Sequence, residues 1–382
     1  MIYFIERQRR PINKTVQIDY TWIDREETFT TFLKKLERGQ TVCLDTEADN
    51  MHHYETRLCL LQVGVGEEGV GEKVALIDPF GEFDWTPMLR VMEEKDLVMH
   101  GSDFDFRLLS HWGGFRPKAL FDTMHAAQLL GHARVGLGAL AEHYLGIKMI
   151  KGHQKDDWSK RPLPPKMLHY AALDAHILHE LKWRMESEIR AKGREQWLQE
   201  RCQWQVASGN NGFAEKDENS WRILQWRKLS SRGLVNLYHL MQWREKKAQS
   251  RDLPLFKILH NQTLFSLADK GDQYPKGPWK EALSPRLRQS RGSELEEVLR
   301  RAAAFDASDL PSPPARKRRP EPLTAEENER QTKILEKRDR VAAEMEIDPS
   351  LLANRQQVSI LARDPAKAEE LLLPTPRKLL GL

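Results

Sequence analysis

Two carboxylates stand one residue apart at the end of an apolar stretch near the start of the chain. The stretch is Thr41-Val42-Cys43-Leu44-Asp45-Thr46-Glu47. Its pattern predicts a strand, and because residues i and i+2 of a strand point to the same side, Asp45 and Glu47 would project together. Like charges this close repel each other unless a cation lies between them. The pair alone is typical of a solvated strand end, and only further acids along the chain favour chemistry.

A second acidic stretch lies where a short apolar strand gives way to a predicted helix. It reads His100-Gly101-Ser102-Asp103-Phe104-Asp105, and both aspartates are candidates for chemistry. Asp103 suits the N-cap of the helix, where its carboxylate would accept hydrogen bonds from free backbone amides. That role would leave Asp105 for chemistry.

A third acidic position falls inside a predicted helix, in the stretch His169-Tyr170-Ala171-Ala172-Leu173-Asp174. Tyr170 and Asp174 stand four residues apart and therefore share one helical face. If the helix already includes residue 169, Tyr170 lies about 40° from Asp174 around the axis and His169 about 140° away. This geometry favours Tyr170 over His169 as the partner of Asp174.

Four carboxylates and a phenol in this order form a suitable set for two-metal phosphoryl chemistry. Mg²⁺ and Mn²⁺ prefer oxygen ligands and are held in proteins by a few carboxylates together with substrate phosphate. Two such ions about 3.5–4 Å apart would activate water and stabilise the leaving oxygen of an in-line displacement. The predicted metal ligands are Asp45, Glu47, Asp105 and Asp174.

These motifs resemble those of ribonuclease D, a family of the DEDD superfamily of 3′→5′ exonucleases. The first family motif corresponds to Asp45-Thr46-Glu47, and the second, His-x₄-Asp, to His100 through Asp105, which selects Asp105 over Asp103. The third, Tyr-x₃-Asp, corresponds to Tyr170 and Asp174. A sister branch of the superfamily carries histidine in place of the tyrosine, so the choice between His169 and Tyr170 stays open at this point.

The resemblance covers roughly residues 41–300 and implies both a fold and a reaction. The implied fold is an α/β ribonuclease H-like exonuclease domain, a mixed sheet flanked by helices, followed by all-α HRDC-type domains. The implied reaction is hydrolysis of the 3′-terminal phosphodiester of RNA, with release of 5′-mononucleotides. In such enzymes the acids hold two Mg or Mn ions, and the tyrosine helps to position or deprotonate the attacking water. Because a phenol is a poor base at its usual pKa near 10, we expect Tyr170 to orient the water. The family suggests tRNA precursors as the RNA partner.

The C-terminal half reads as helical, with linkers marked by polar and proline-rich composition. Residues 221–303 resemble the HRDC module, a resemblance carried by the stretch Leu237-Tyr238-His239-Leu240-Met241-Gln242-Trp243-Arg244-Glu245. Prolines surround the basic run Arg316–Arg319, which is typical of a disordered tether. The predicted boundaries are an exonuclease domain at 1–207, a linker at 208–220, an HRDC domain at 221–303, a basic linker at 304–323 and a second, HRDC-like helical module at 324–382.

Five further residues are candidates for contact with RNA. Tyr54 and Arg57 follow the acidic strand closely enough to reach a 3′-terminal nucleotide, although a turn role is an equal alternative. His100 opens the second motif. Arg244 and Lys247 lie near the end of a predicted helix and could contact phosphates, with a solvated helical face as the alternative.

Local patterns predict some of the helix boundaries. Asp24-x-x-Glu27 and Thr324-x-x-Glu327 have the spacing of capping boxes at the starts of helices. Apolar residues at helical spacing predict one long helix over residues 175–207.

Composition narrows the class of protein without choosing a partner. The 382 residues carry 60 Lys+Arg and 56 Asp+Glu, a net charge of +4 that is compatible with nucleic acid but does not require it. The three cysteines form no C-x-x-C pair and indicate thiols of a reducing compartment. Neither a signal peptide nor an apolar run of about 20 residues is present. We therefore expect a cytoplasmic protein with no membrane attachment and no obligate protein partner.

Two other functions fit parts of this pattern. A DNA-directed 3′→5′ exonuclease would use the same acids, and a non-catalytic RNA-binding protein would use the helical modules alone. The intact set of acids argues against the second alternative.

Overall fold

The computed structural model describes residues 18–67, 70–149, 152–209, 212–213, 215–315 and 321–382. The chain forms two compact units. The first comprises the described parts of Met1–Ala48, Leu58–Phe213 and Pro320–Leu382, and the second those of Asp49–Arg57 and Ala214–Arg319. The basic run Arg316–Arg319, predicted to be a tether, lies outside the described residues.

A mixed sheet forms the centre of the first unit. Its six strands within the described residues run in the order β1-β4-β3-β2-β5-β6. β2 pairs antiparallel with β3 and parallel with β5, which in turn pairs parallel with β6. The strands are β1 (Tyr20–Ile23), β2 (Thr41–Ala48), β3 (Leu58–Glu67), β4 (Val70–Ile77), β5 (Asp96–Met99) and β6 (Ala119–Asp122).

Helices cover both faces of this sheet. The apolar sides of α1, α2 and α3 pack on one face, while α4 and α6 contribute to the core on the other. The mixed sheet flanked by helices confirms the predicted fold class of the N-terminal part. The helices of this stretch are α1 (Glu26–Arg38), α2 (Thr86–Glu93), α3 (Asp103–Gly113), α4 (Thr123–Leu130), α5 (Leu137–Leu140), α6 (Pro165–Ala191) and α7 (Glu195–Gly209).

The long helix predicted over residues 175–207 is wrong in its extent. The structure has two helices there, α6 and α7, separated by a short break. Gly193 adopts φ 64° in this break, a left-handed conformation that ends a helix and that glycine tolerates without a Cβ clash. At its other end α6 begins at Pro165, where the missing N–H and fixed φ of proline suit a first helical turn.

The regular secondary structure described in the second unit is all helical. Its core brings together apolar side chains of three helices, including Leu240 of α8, Leu267 of α10 and Leu299 of α11. The Ser230 side chain accepts a hydrogen bond from the amide of Gly233 and so caps the first of these helices. The helices are α8 (Ser231–Arg251), α9 (Leu255–Ile258), α10 (Asn261–Lys270) and α11 (Pro285–Ala303).

The last helices of the chain belong to the first unit. Ile334, Leu352 and Leu361 are buried in the same apolar cluster as Leu181 of α6 and Trp197 of α7. These segments thus share a core with the sheet-containing part of the chain, and the domain boundaries drawn from the sequence stay predictions. The helices are α12 (Ala325–Met345), α13 (Arg355–Arg363), α14 (Ala368–Leu371) and α15 (Pro374–Leu380).

The two predicted capping boxes have different outcomes. Thr324 and Glu327 form the reciprocal hydrogen bonds of a capping box at the start of α12, which confirms the prediction. At α1 the prediction is wrong, because the N-cap is Arg25 and no side chain caps the helix. None of the described helices is long and apolar enough to cross a membrane.

Candidate active site

The alternation of side chains along β2 determines where the first two acids point. Val42 and Leu44 enter the core beneath α1, α2 and α3. Cys43 instead packs against α6 on the opposite face. Asp45 and Glu47 continue the series begun by Cys43, so both lie on the α6 side of the sheet.

Helix α6 supplies the third acid and the tyrosine. The carboxylate oxygens of Asp174, Asp45 and Glu47 all lie within 4.8 Å of one another. The Tyr170 hydroxyl lies on the same helical face as the Asp174 carboxylate, one turn away, and the charge of Asp174 contributes to raising the pKa of Tyr170. Because α6 begins at Pro165, residue 169 is already helical, and the angular argument for Tyr170 over His169 applies.

The fourth acid is Asp105, in the first turn of α3. Its side chain is buried, and the Thr46 hydroxyl donates a hydrogen bond to its Oδ1. Asp103 forms an ion pair with Arg107 at 3.0 Å and is 55% exposed. The predicted capping role of Asp103 is wrong, since the N-cap is Ser102, whose side chain makes no capping bond. Of the two aspartates, Asp105 is therefore the one that contacts β2.

Burial raises the pKa values of all four carboxyls, and repulsion from the other acids of the cluster adds to this at Asp45 and Glu47. For Asp45 the main cause is burial, followed by the charges of Asp105 and Asp174. Burial also raises the pKa of Glu47, with Asp45 as the next cause. Burial raises the pKa of Asp105 to about 6 and that of Asp174 to about 7. Ionisation of these carboxyls is unfavourable in free energy, because the charges are buried close together. A bound cation would offset this free energy.

The donor atoms of this cluster fit a divalent cation. All are carboxylate oxygens, the ligand type that Mg²⁺ and Mn²⁺ prefer. Asp174 Oδ1 is buried and has no hydrogen-bond partner among the described residues, so it has an unused lone pair for a metal. Within the described residues no basic side chain forms an ion pair with any of the four acids.

The Tyr170 phenol remains neutral beside these acids. Burial, together with the charges of Asp174 and Glu47, raises its pKa well above the usual range. A phenol with such a pKa donates and accepts hydrogen bonds but does not remove a proton from water at neutral pH. Such a phenol could orient a water molecule through hydrogen bonds but would not act as its base.

A cavity of about 960 Å³ opens onto the acids. Asp45, Glu47, Asp174, Tyr170 and His100 all line it. His100 lies 2.9 Å from the Thr123 hydroxyl through its Nδ1, and burial lowers its pKa, which favours the neutral imidazole. Two cationic side chains, Arg134 and Lys148, line the same cavity.

Tyr54 and Arg57 belong to the second unit. The Tyr54 hydroxyl hydrogen-bonds to Glu245 and accepts a bond of 3.1 Å from Gln249, both on α8. The Arg57 Nε donates to the buried Asp49 carboxylate at 2.8 Å. These contacts give both residues a structural role in their own unit, and the predicted contact with a 3′-terminal nucleotide gains no support from them.

Arg244 is buried, contrary to its predicted role as a phosphate contact. The side chain is 4% exposed. Its Nη1 donates to the Leu259 carbonyl at 2.9 Å and to the Asn261 side chain at 2.7 Å. Because these bonds hold the guanidinium in the interior, RNA at the surface would not reach it. Lys247 lies nearer the surface and pairs with Glu294 at 2.7 Å.

Three residues that line the cavity or hydrogen-bond to an acid were not predicted from the sequence. Thr46 stands between two predicted ligands and supports Asp105 from the other face of β2. The period-2 alternation of the strand could have indicated this, because Thr46 must point away from Asp45. Arg134 and Lys148 come from the segment between α4 and α6 and carry no sequence signal that separates them from other surface cations.

Comparison with known proteins agrees with these features. Residues 20–190 match a family model described as 3′-5′ exonuclease, and residues 234–276 match the HRDC domain. Ribonuclease D of Zymomonas mobilis is 34% identical over 246 residues, which cover 63% of this chain and 61% of that relative. The match therefore spans less than two thirds of the relative's length.

Two solved structures share the fold over nearly the whole chain. A protein from Bifidobacterium adolescentis has a TM-score of 0.76 at 21% identity, covering 95% of this chain and 98% of its own. Escherichia coli RNase D, an exoribonuclease involved in structured RNA processing, has a TM-score of 0.67 at 23% identity, covering 95% and 99%. The chain therefore carries a 3′-5′ exonuclease domain and an HRDC domain, and its predicted resemblance to ribonuclease D is confirmed.

Proposed function

We propose that this chain is a metal-dependent 3′→5′ exoribonuclease that removes nucleotides one at a time from the 3′ end of RNA. The observation that carries the proposal is the group of three carboxylates whose oxygens lie within 4.8 Å of one another. Asp105 adjoins them through Thr46. The membership of residues 20–190 in a 3′-5′ exonuclease family supports the same reaction.

The proposed roles follow from the positions of the side chains. Asp45, Glu47, Asp105 and Asp174 would hold two divalent ions, which when bound supply water activation and charge stabilisation at the phosphate. Thr46 orients the Asp105 carboxylate through its hydrogen bond. The neutral hydroxyl of Tyr170 orients the attacking water.

The cavity supplies further contacts to the substrate. Arg134 and Lys148 would offset the negative charge of the RNA backbone where it enters the cavity. His100, neutral in the cavity wall, would offer a hydrogen bond to the terminal nucleotide. These three contacts are parts of the proposal.

The class of substrate is a separate part of the proposal. Resemblance to ribonuclease D supports RNA, with 3′-extended tRNA precursors as the natural substrate. The carboxylates act on phosphate and do not distinguish ribose from deoxyribose, so a DNA-directed exonuclease is the alternative. The HRDC domain is compatible with either nucleic acid.

One assay separates these possibilities. The purified chain is incubated with a 3′-extended tRNA or with single-stranded DNA of the same length, in Mg²⁺, Mn²⁺ or EDTA. We expect 5′-mononucleotides from RNA in either metal and none in EDTA. Faster degradation of the DNA would assign the alternative substrate, and activity in EDTA would contradict the metal requirement.

A matched pair of variants on α3 tests the acid assignment. Asp105→Asn should remove activity, whereas Asp103→Asn, two residues away on an exposed ion pair, should retain it. Equal activity of the two variants would contradict the place of Asp105 in the site.

A further inference from the structure

Two aromatic rings, those of His153 and Trp158, pack against the ring of Tyr170. The His153 ring lies 5.6 Å from the Tyr170 ring, between centroids, in an edge-on arrangement of 60°. The Trp158 ring lies 6.3 Å away at an angle of 39°. Aromatic pairs at such separations attract each other in preferred orientations. The two contacts restrict the orientation of the phenol, one helical turn from Asp174.

Both of these rings belong to one short segment that has internal hydrogen bonds. His153 Nδ1 lies 2.6 Å from the Asp156 carboxylate. The Trp158 indole donates to the backbone carbonyl of His153 at 3.2 Å. The segment includes a turn of 3₁₀ helix over His153–Lys155. His153 is thus fixed from two directions, through its ring and through its backbone.

The position of this segment relates it to the acid cluster. Gly152 and Gln154, on either side of His153, line the same cavity as Asp45 and Asp174. The charge of Asp156 is also one of the causes that raise the pKa of Glu47, after burial and the nearer acids. Among the contacts of the described residues, His153 meets the Tyr170 ring and the Asp156 carboxylate, and none of the four acids of the cluster.

We propose that His153, held by Asp156, is a positioning residue that aims the Tyr170 hydroxyl at the site of water attack. This inference rests on the proposed exonuclease function and deepens it. His153 has no direct part in the reaction, because its Nδ1 is engaged by Asp156 and its ring faces the tyrosine. Its effect on the reaction passes through Tyr170.

Two substitutions of His153 separate its ring from its hydrogen bond. His153→Phe keeps an aromatic edge against Tyr170 and loses the bond to Asp156. His153→Asn keeps a donor near the position of Nδ1 and loses the ring. We expect His153→Ala to lower kcat about tenfold with KM unchanged, because only the aim of one hydroxyl changes. The Phe variant should recover more of kcat than the Asn variant.

A double-mutant cycle with Tyr170→Phe distinguishes positioning from a general structural effect. If His153 acts through the Tyr170 hydroxyl, His153→Ala lowers kcat in the wild-type background and has no further effect once that hydroxyl is gone. The proposal would be overturned if the two losses of kcat multiplied in the double variant. It would also be overturned if His153→Ala raised KM by the same factor by which it lowered kcat. Thermal unfolding of each variant identifies any loss that comes from misfolding.

A measurement without catalysis keeps this inference separate from the proposed function. The full chain is labelled with 3-fluorotyrosine, and the ¹⁹F resonance of Tyr170 is identified by its loss in Tyr170→Phe. His153→Ala should shift or broaden that resonance. His111→Ala is the matched control, since His111 is an exposed histidine packed edge-on against other rings, at 5.3 Å from Trp112. An unchanged Tyr170 resonance in His153→Ala would overturn the inference, whatever the chain does to RNA.

Discussion

Charged residues predicted to be functional lie in the acid cluster of the first unit and on helix α8 of the second. The two groups differ in the partners that their side chains have within the protein. Four acidic side chains lie together in the cluster, and none of them forms an ion pair among the described residues. On α8, Arg244 is bound by a carbonyl and an amide, and Lys247 is paired with Glu294. Buried like charges without partners indicate a ligand, whereas side chains whose hydrogen bonds or charge are satisfied within the protein indicate a structural role.

A buried acid elsewhere in the first unit shows that burial alone does not produce such a site. Asp78, at the end of the unit's β4, is buried like Asp105. Arg161 donates to both of its carboxylate oxygens, at 2.6 and 2.7 Å. The charge of Asp78 is thus matched within the protein. Among the described residues no basic side chain pairs in this way with Asp45, Glu47 or Asp174.

The largest effect should come from removing one carboxylate of the cluster. Asp174→Asn should lower the rate of RNA hydrolysis by roughly 10³-fold or more, because a metal ligand is lost. RNA binding should persist, and the metal-free variant should be at least as thermally stable as the wild type, since one repelling charge is gone. Rate and unfolding temperature are measured on the same preparations, and retained activity would contradict the metal assignment.

The next largest effect should fall on the stability of the second unit. Arg244→Ala removes the donors that satisfy the Leu259 carbonyl and the Asn261 side chain, and should cost about 3 kcal/mol of unfolding free energy. Lys247→Ala, which removes a more exposed ion pair, should cost under about 1 kcal/mol. Urea unfolding measures both. If Arg244→Ala were as stable as the wild type but bound RNA more weakly, the result would support the phosphate contact predicted from the sequence.

Added metal should stabilise the first unit through the acid cluster. At a free Mg²⁺ or Mn²⁺ concentration about 100 times the dissociation constant, binding should add about 2.7 kcal/mol to the free energy of unfolding. EDTA should reverse the gain, and Asp45→Asn should reduce it. Calorimetric scans with and without metal provide the measurement, and an equal gain in Asp45→Asn would place the binding elsewhere.

The smallest effect should come from the two cations that line the cavity. Arg134→Ala and Lys148→Ala should each weaken RNA binding and lower the slope of log affinity against log salt by about 0.7, the value for one phosphate contact on a single strand. Lys118→Ala is a control, because Lys118 pairs with Glu94 on an exposed surface. Titrations at several salt concentrations give the slopes, and identical slopes for all variants would exclude these contacts.

The chemistry of the site could be predicted from the sequence because local rules place each acid relative to its own element. The period of a strand puts Asp45 and Glu47 on one side, and the period of a helix puts Tyr170 one turn from Asp174. The capping box of α12 is local in the same way: Thr324 and Glu327 bond to each other's backbone. Features of this kind need only residues close in the chain.

Features that depend on distant residues could not be predicted in this way. Asp103 and Asp105 both lie in the first turn of α3. The sequence favoured Asp105 only through the family resemblance, whereas the physical difference between them is the contact of Asp105 with Thr46, fifty-nine positions away. The burial of Arg244 depends on the Leu259 carbonyl that meets it. Likewise, the apolar side chains of α12 and α13 join the core of the first unit, although their spacing is equally suited to a separate helical module.

The sequence by itself determined which acids are present, their order, and the strand and helix that carry them. Tertiary structure decided which of these charges go unmatched, since a match requires partners from remote parts of the chain. The same division holds for Tyr170: helical period set its relation to Asp174, but only the fold brought the His153 ring against it. Local backbone geometry is encoded within a few residues, whereas charge balance is a property of the packed molecule.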